Sequence, residues 1–275
     1  MKAYVFGATG TVGSPLVQSL LDNGHEVLAA TRKPGESKTG LKYVDAGDPK
    51  AMAEADSVFL LSPGGLPDQY SVLKPYLDQA RQQKPQKTVL MTAFGVEHAP
   101  PEAPMRKLEL ELLDSGLNAT ILRPNWFMQN FNTYWIHGIL SDGKIYFPAG
   151  DAKTSFIDAR DIGATAATVL TSTEYSGEAL GLTGSEALDH SQVAAKISAA
   201  TGKSVEYVNV DPNDFKASLK QAGLDADYVE LLSGIAAALR DGFASPITDA
   251  VNQVLKRDPI SFDQYAQDYA TAWKG

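Results

Sequence analysis

The chain has 275 residues and a net charge of −9, from 24 Lys and Arg against 33 Asp and Glu, which argues against a general phosphate-backbone binder because that task needs a basic face. There is no cysteine, so disulfides, thiolate metal sites and cysteine nucleophiles are excluded, and a reducing compartment is compatible. A hydrophobic share of 44% with 23 Gly and 15 Pro is that of a globular chain forming one large or two interleaved domains.

Short apolar runs at residues 3–6, 26–30, 42–44, 57–61, 88–92 and 119–122 read as strands, and amphipathic patterns near 12–22, 67–83, 104–115 and 126–138 read as helices. This alternation builds right-handed crossovers and a mostly parallel sheet. Asp22-Asn23-Gly24 and Asp114-Ser115-Gly116 each close a helix with a glycine that tolerates positive φ. Further on, 144–147, 154–157, 180–183 and 205–210 read as short strands and 161–170 and 191–200 as helices. The remainder looks helical, broken at Gly223, Gly242 and Pro246. The first apolar run is too short for a signal-peptide core, and no stretch of about 18 apolar residues exists to span a membrane. A cytoplasmic protein without membrane contact is expected.

The most informative motif is Gly7-Ala8-Thr9-Gly10-Thr11-Val12-Gly13, directly after the first strand and opening the first helix. Gly7 turns the chain, Gly10 lets the backbone approach a pyrophosphate, and Gly13 lets helix and strand pack closely. Thr9, Thr11 and Val12 then offer amides to the phosphates at the positive helix end. The expected fold is α/β: a doubly wound, mostly parallel Rossmann sheet with a smaller, mainly helical substrate-side subdomain. The dinucleotide-binding part takes residues 1–130 and 154–172, and the substrate side takes 131–153 and 173–275. At the end of the second strand, where an NAD site carries an acid, the sequence reads Ala30-Thr31-Arg32-Lys33. Arg32, with Lys33 beside it, suits the 2′-phosphate of NADP(H), so NADP(H) is preferred and NAD(H) remains possible.

The glycine motif, Leu60-Leu61-Ser62-Pro63, the run Leu122-Arg123-Pro124-Asn125-Trp126-Phe127-Met128-Gln129-Asn130, Phe156-Ile157-Asp158-Ala159-Arg160-Asp161-Ile162 and Leu182-Thr183-Gly184 together resemble the NmrA-like branch of the atypical short-chain dehydrogenases/reductases. The resemblance spans roughly residues 1–210. Members of that branch include NADPH-dependent azoreductases, quinone reductases, triphenylmethane dye reductases, iminium reductases and cofactor-sensing regulators. It implies that Leu61, Ser62 and Pro63 run beneath the ribose and pyrophosphate, and that Thr92, Ala93 and Phe94 reach the nicotinamide side. Asp45 takes the adenine side, and Pro124, Asn125 and Trp126 begin a segment that wraps the nicotinamide ribose and carboxamide. Asp158 and Asp161 read as a turn residue and a helix cap.

The proton donor departs from the superfamily pattern. The Tyr-x-x-x-Lys pair expected after the fifth strand is absent, and Tyr70 with Lys74 lies one strand too early. Where many relatives carry Lys or His, this chain has Met105, which donates no proton. Arg106 and Lys107 follow, but neighbouring helix residues project about 100° apart, so at most one faces the site. Lys107 and Thr92 are the catalytic candidates.

The absence of a strong acid favours acceptors that hydride alone neutralises or that delocalise the new charge. Phe94, Trp126, Phe127, Asn130, Tyr134 and Trp135 are the candidate contacts to a flat apolar substrate. The four histidines are too dispersed for a metal pair, and no serine-nucleophile elbow occurs. The expected function is an NADPH-dependent oxidoreductase acting on a small hydrophobic acceptor such as a quinone, azo compound, imine, iminium or activated carbonyl. The alternative is an NAD(P)-sensing regulator. No nucleic-acid contact is expected, and nothing in the sequence specifies an oligomeric state.

Overall fold

The computed structural model describes residues 1–32, 35–62 and 65–274. They form two compact units, the first made of Met1–Pro124, Ala159–Leu182 and Ala250–Arg257, the second of Asn125–Asp158, Thr183–Asp249 and Asp258–Gly275.

The first unit is built on a seven-stranded, all-parallel sheet. Its strands are β1 (Lys2–Phe6), β2 (Glu26–Thr31), β3 (Leu41–Asp45), β4 (Ser57–Leu61), β5 (Lys87–Met91), β6 (Ala119–Pro124) and β8 (Ala179–Leu182). They lie in the order β3-β2-β1-β4-β5-β6-β8. The order reverses between β1 and β4, and this is where doubly wound sheets bind their ligands. The strands carry continuous apolar runs because helices cover both faces. Val58, Phe59 and Leu60 of β4 and Val89 and Leu90 of β5 are all buried.

Helix α1 (Gly13–Asp22) buries Leu16, Val17 and Leu20, one stripe at helical spacing, and ends at Asn23 before Gly24 with φ +75°. The crossovers after β4 and β5 are α2 (Gln69–Gln83) and α3 (Pro104–Leu113). The Ala-rich α5 (Ala159–Thr171) packs closely on α1. The structure places β8 and the short helix α9 (Ala250–Leu255) in this unit, whereas the sequence pattern assigned them to the substrate side. Pairing of β8 with β6 and packing of α9 on α5 are nonlocal, and composition does not reveal them.

The second unit has one two-stranded parallel sheet, β7 (Lys144–Phe147) with β9 (Glu206–Asn209). Around it lie α4 (Ile136–Asp142), α6 (His190–Thr201), α7 (Pro212–Gln221), α8 (Ala226–Arg240) and α10 (Phe262–Asp268). Its core is aromatic, with Phe131, Phe156, Phe262, Tyr265 and Trp273 buried together. The indole of Trp273 donates to the Phe131 carbonyl at 2.8 Å.

Two elements differ from expectation here. Residues 154–157 pair only through isolated bridges, Thr154 with Leu188 and Phe127 with Ile157, and form no strand. The helix expected over 126–138 is a 3₁₀ turn, Met128–Asn132, then a break at Thr133 before α4. Thr133 donates its hydroxyl to the Gln129 carbonyl, the kind of local bond that competes with a continuing helix.

Candidate cofactor and substrate sites

The loop from β1 to α1 has the form its glycines require. Gly7 sits at φ +71°, and the Leu61 side chain lies under it. A β-carbon at Gly13 would overlap the Gly7 carbonyl oxygen and stand 2.8 Å from Ala8 Cα, so only glycine permits this approach. Among the described residues the sole neighbour of such an atom at Gly10 is the Gly7 carbonyl oxygen at 3.2 Å, which leaves the outer side open. Thr9, Gly10 and Thr11 are exposed, and the N-terminus of α1 at Val12 has no side-chain cap. The Gly10 amide is taken by Gly7 O and the Ser14 amide by Gly10 O, each at 2.9 Å, so among the described residues the amides of Thr9, Thr11, Val12 and Gly13 are left without a partner, the kind of donor set at a helix start that holds a pyrophosphate. The residues present therefore fit a dinucleotide.

Two bonds tie this loop to β2. The Ala8 amide donates to Ala30 O at 3.2 Å, and the Thr9 and Thr31 hydroxyls lie 3.2 Å apart. Arg32 follows directly and is exposed. Lys33 and Pro63 lie outside the described residues. Asp45 ends β3 and accepts from the Gly47 amide at 2.8 Å, while the Tyr76 hydroxyl donates to Ala46 O. Ser62 follows β4 and is half-buried.

At the ends of β5 and β6 the structure assembles a charged cluster. Glu109 of α3 is completely buried. Arg123 Nε and Nη2 donate to its two oxygens at 2.9 and 2.7 Å, Arg106 Nη1 donates at 2.8 Å, and the Thr92 hydroxyl donates at 2.6 Å. Burial pushes the Glu109 carboxyl up, but the bonds from Arg123, Thr92 and Arg106 outweigh this and hold it below its ordinary value. Arg123 also faces Glu97 at 3.5 Å. Phe94 is half-buried beside Ala93, its amide bonded to Pro124 O at 3.0 Å.

Of the two neighbouring cations, Arg106 joins this cluster and Lys107 does not. Lys107 is exposed, with its ammonium 3.9 Å above the Tyr70 ring. Tyr70 in turn donates to Glu111 at 2.6 Å, and Lys74 pairs with Asp78, so this Tyr/Lys pair is a salt-bridged helix surface. Glu109 is the residue that sequence reasoning missed. The signal was Arg123, a cation in an otherwise apolar strand, which has to find a buried partner.

In the second unit, Asn125 is buried and fully committed. Its amide nitrogen donates to Ser155 Oγ and Ala244 O, both at 2.8 Å, and its oxygen accepts from the Trp126 amide at 2.9 Å. Trp126 stacks on Trp135 with centroids 6.2 Å apart, and Phe147 packs edge-on against both. Trp126, Phe127, Asn130 and Trp135 are half-buried, and Tyr134 is 74% exposed. Tyr134 and Trp135 precede α4 instead of lying within it.

His190, at the start of α6, is wholly enclosed by the rings of Phe131, Trp135, Phe147, Phe156 and Tyr207. Among the described residues neither ring nitrogen has a partner, and burial lowers its pKa to about 4. Asp158 is buried and accepts from Gln129 at 2.9 Å. Asp161, in the first unit, lies in the first turn of α5 and pairs with Arg257 at 2.7 Å. Among the described residues no His, Asp and Glu cluster suited to a metal occurs, and no helix is long and apolar enough to cross a membrane.

Two family models match the chain, one described as NAD(P)H-binding over residues 7–173 and one as the NmrA-like family over residues 105–266. Each spans more than half of the sequence, and the chain belongs to the NmrA-like family of NAD(P)H-binding proteins. It is 31% identical to the uncharacterized oxidoreductase YesF of Bacillus subtilis, covering 98% of this chain and 95% of the relative. It is 29% identical to the NAD(P)H azoreductase of Xenophilus azovorans, covering 98% of each. Among solved structures, a quinone oxidoreductase from Escherichia coli in complex with NADPH shares the fold, with a TM-score of 0.83 at 22% identity over 98% of this chain and 99% of that one.

Proposed function

We propose that the protein is an NADPH-dependent oxidoreductase that reduces a small, hydrophobic, electron-poor acceptor. The observation that carries this reading is the glycine loop, where an open turn and an uncapped helix end present amides to a pyrophosphate. The exposed Arg32 directly after β2, with no acid in its place, supports a 2′-phosphate on the ribose and hence NADPH over NADH. The names of the relatives, an oxidoreductase and an azoreductase, support reduction as the reaction.

Bound NADPH supplies the hydride. The protein's share is placement. The loop holds the phosphates, and the strand ends at Thr92 and Ala93 orient the nicotinamide side. The Thr92 hydroxyl donates its hydrogen bond to the ionised Glu109, so its proton is not aimed at a substrate. This supports iminium ions, protonated imines included, which hydride alone neutralises, and quinones, which delocalise the new charge as a phenolate; both need little or no acid at the moment of transfer.

Calorimetric titration with NADPH and NADH, followed by the loss of nicotinamide absorbance on adding a quinone, an azo dye or a cyclic imine, tests the reading. Tighter NADPH binding and oxidation by at least one acceptor are expected. Tight binding with no oxidation by any of them would replace the reductase by a cofactor-sensing regulator, and no binding would overturn both.

A further inference from the structure

The Thr92 hydroxyl has one proton and two lone pairs. Its proton points at the ionised Glu109, at a distance typical of a charge-assisted bond. Glu109 cannot turn away from this hydrogen bond, because the same carboxylate is fixed by Arg123 through two nitrogens and by Arg106 through one. Thr92 keeps 6% of its surface open just past the end of β5, and with its proton committed its hydroxyl has only lone pairs left to offer.

We propose that Glu109 is a positioning residue that locks Thr92 as a hydrogen-bond acceptor, and that this polarity selects substrates whose reacting end carries an N–H, protonated imines above all, over ketones. This rests on the reading of the β5 end as the nicotinamide side. In such a reduction the imine carbon receives hydride with its two electrons, and the C=N π pair becomes the nitrogen lone pair. The cationic nitrogen becomes a neutral amine, and no further proton is required. The N–H donates to Thr92 Oγ1 throughout. A ketone oxygen brings lone pairs against lone pairs, and the alkoxide it becomes finds no donor there.

The lock makes an unusual prediction for Glu109→Gln. The amide oxygen is held by the two arginine Nη groups, so its NH₂ faces Thr92. The hydroxyl then accepts from the amide and donates outward, which inverts its polarity.

The test is equilibrium binding, by calorimetry on the NADP⁺-loaded protein, of dihydroisoquinoline in its protonated form against β-tetralone, a ketone of the same size. Wild type should prefer the imine by about tenfold, the scale of one hydrogen bond. Thr92→Ser should keep that preference, Thr92→Val should erase it, and Glu109→Gln should reverse it. Should Glu109→Gln fail to fold, the Ser and Val pair decides alone. An unchanged ratio in Thr92→Val overturns the proposal, as does a loss of preference in Arg106→Met with Thr92→Val silent, since Arg106 would then be the discriminating group. Failure of wild type to bind NADPH overturns the proposed function and this inference together. NADPH binding with unmoved ratios overturns this inference alone.

Discussion

A methyl group on Gly163 of α5 would stand 2.7 Å from the amide nitrogen of Leu16 on α1. The two helices touch at backbone level, so α5 buttresses the helix whose N-terminus forms the glycine loop. Gly→Ala inside a helix ordinarily stabilises by about 1 kcal/mol. Here the sign should reverse, with Gly163→Ala losing about 1–3 kcal/mol by overpacking. Urea denaturation reads the loss, and NADPH affinity should fall with it as α1 is displaced.

The glycines of the loop should separate into two kinds. Gly10→Val places its side chain on the open side, so cofactor binding disappears while the melting temperature holds. Gly13→Ala collides with the Gly7 carbonyl and the Ala8 backbone, so both binding and stability are lost. Circular dichroism melts paired with NADPH titrations distinguish them, and cofactor affinity surviving in Gly10→Val would mean that the loop holds no pyrophosphate.

Arg32→Glu exchanges a charge-assisted bond for a repulsion at the ribose. NADPH affinity should drop about 10- to 100-fold, corresponding to roughly 1.5–3 kcal/mol, with NADH nearly unchanged. Equal weakening of the two cofactors would remove the 2′-phosphate assignment.

His190 gives the second unit an acid sensitivity. Its folded pKa, about 4, lies below the ordinary 6.5, so between these values the unfolded chain binds the proton and the folded one does not. Stability from this group is fully present above pH 6.5 and is lost as the pH falls toward 4, about 3 kcal/mol in all. Denaturant midpoints measured across that window should fall steeply in wild type and more gently in His190→Leu. Parallel slopes would remove His190 as the cause.

The nucleotide half of the fold was legible because its strands are continuous apolar runs and its turns carry glycine at positions a side chain cannot occupy. Strands predicted at 57–61 and 144–147 match the structure at both ends. Lys87 shows what periodicity does not carry. The strand expected over 88–92 leaves it out, yet it opens β5 fully buried, its ammonium satisfied by Asn118 Oδ1 and Glu174 O. Glu109 was hidden for the same reason, because it lies on α3 while its partners Thr92 and Arg123 come from just past β5 and from β6. The aromatic segment 126–135 was identified as important but misread as one helix, since side-chain bonds from Asn125 and Thr133 shape it locally. His190 gave no signal at all, as its five ring neighbours are scattered from position 131 to 207.

The bond from Trp273 to Phe131 joins residues 142 positions apart. Residues 250–257 likewise return to a sheet begun at residue 2. Neither unit is therefore complete until the last part of the described chain is in place. The growing chain must carry an open aromatic core, and a nucleotide unit still lacking α9, until residues 250–273 have been made, and only then can both settle. Long-range closure of this kind is slow. It makes the interval just after synthesis, rather than the finished molecule, the stage at which this protein is most exposed to aggregation and to chaperones.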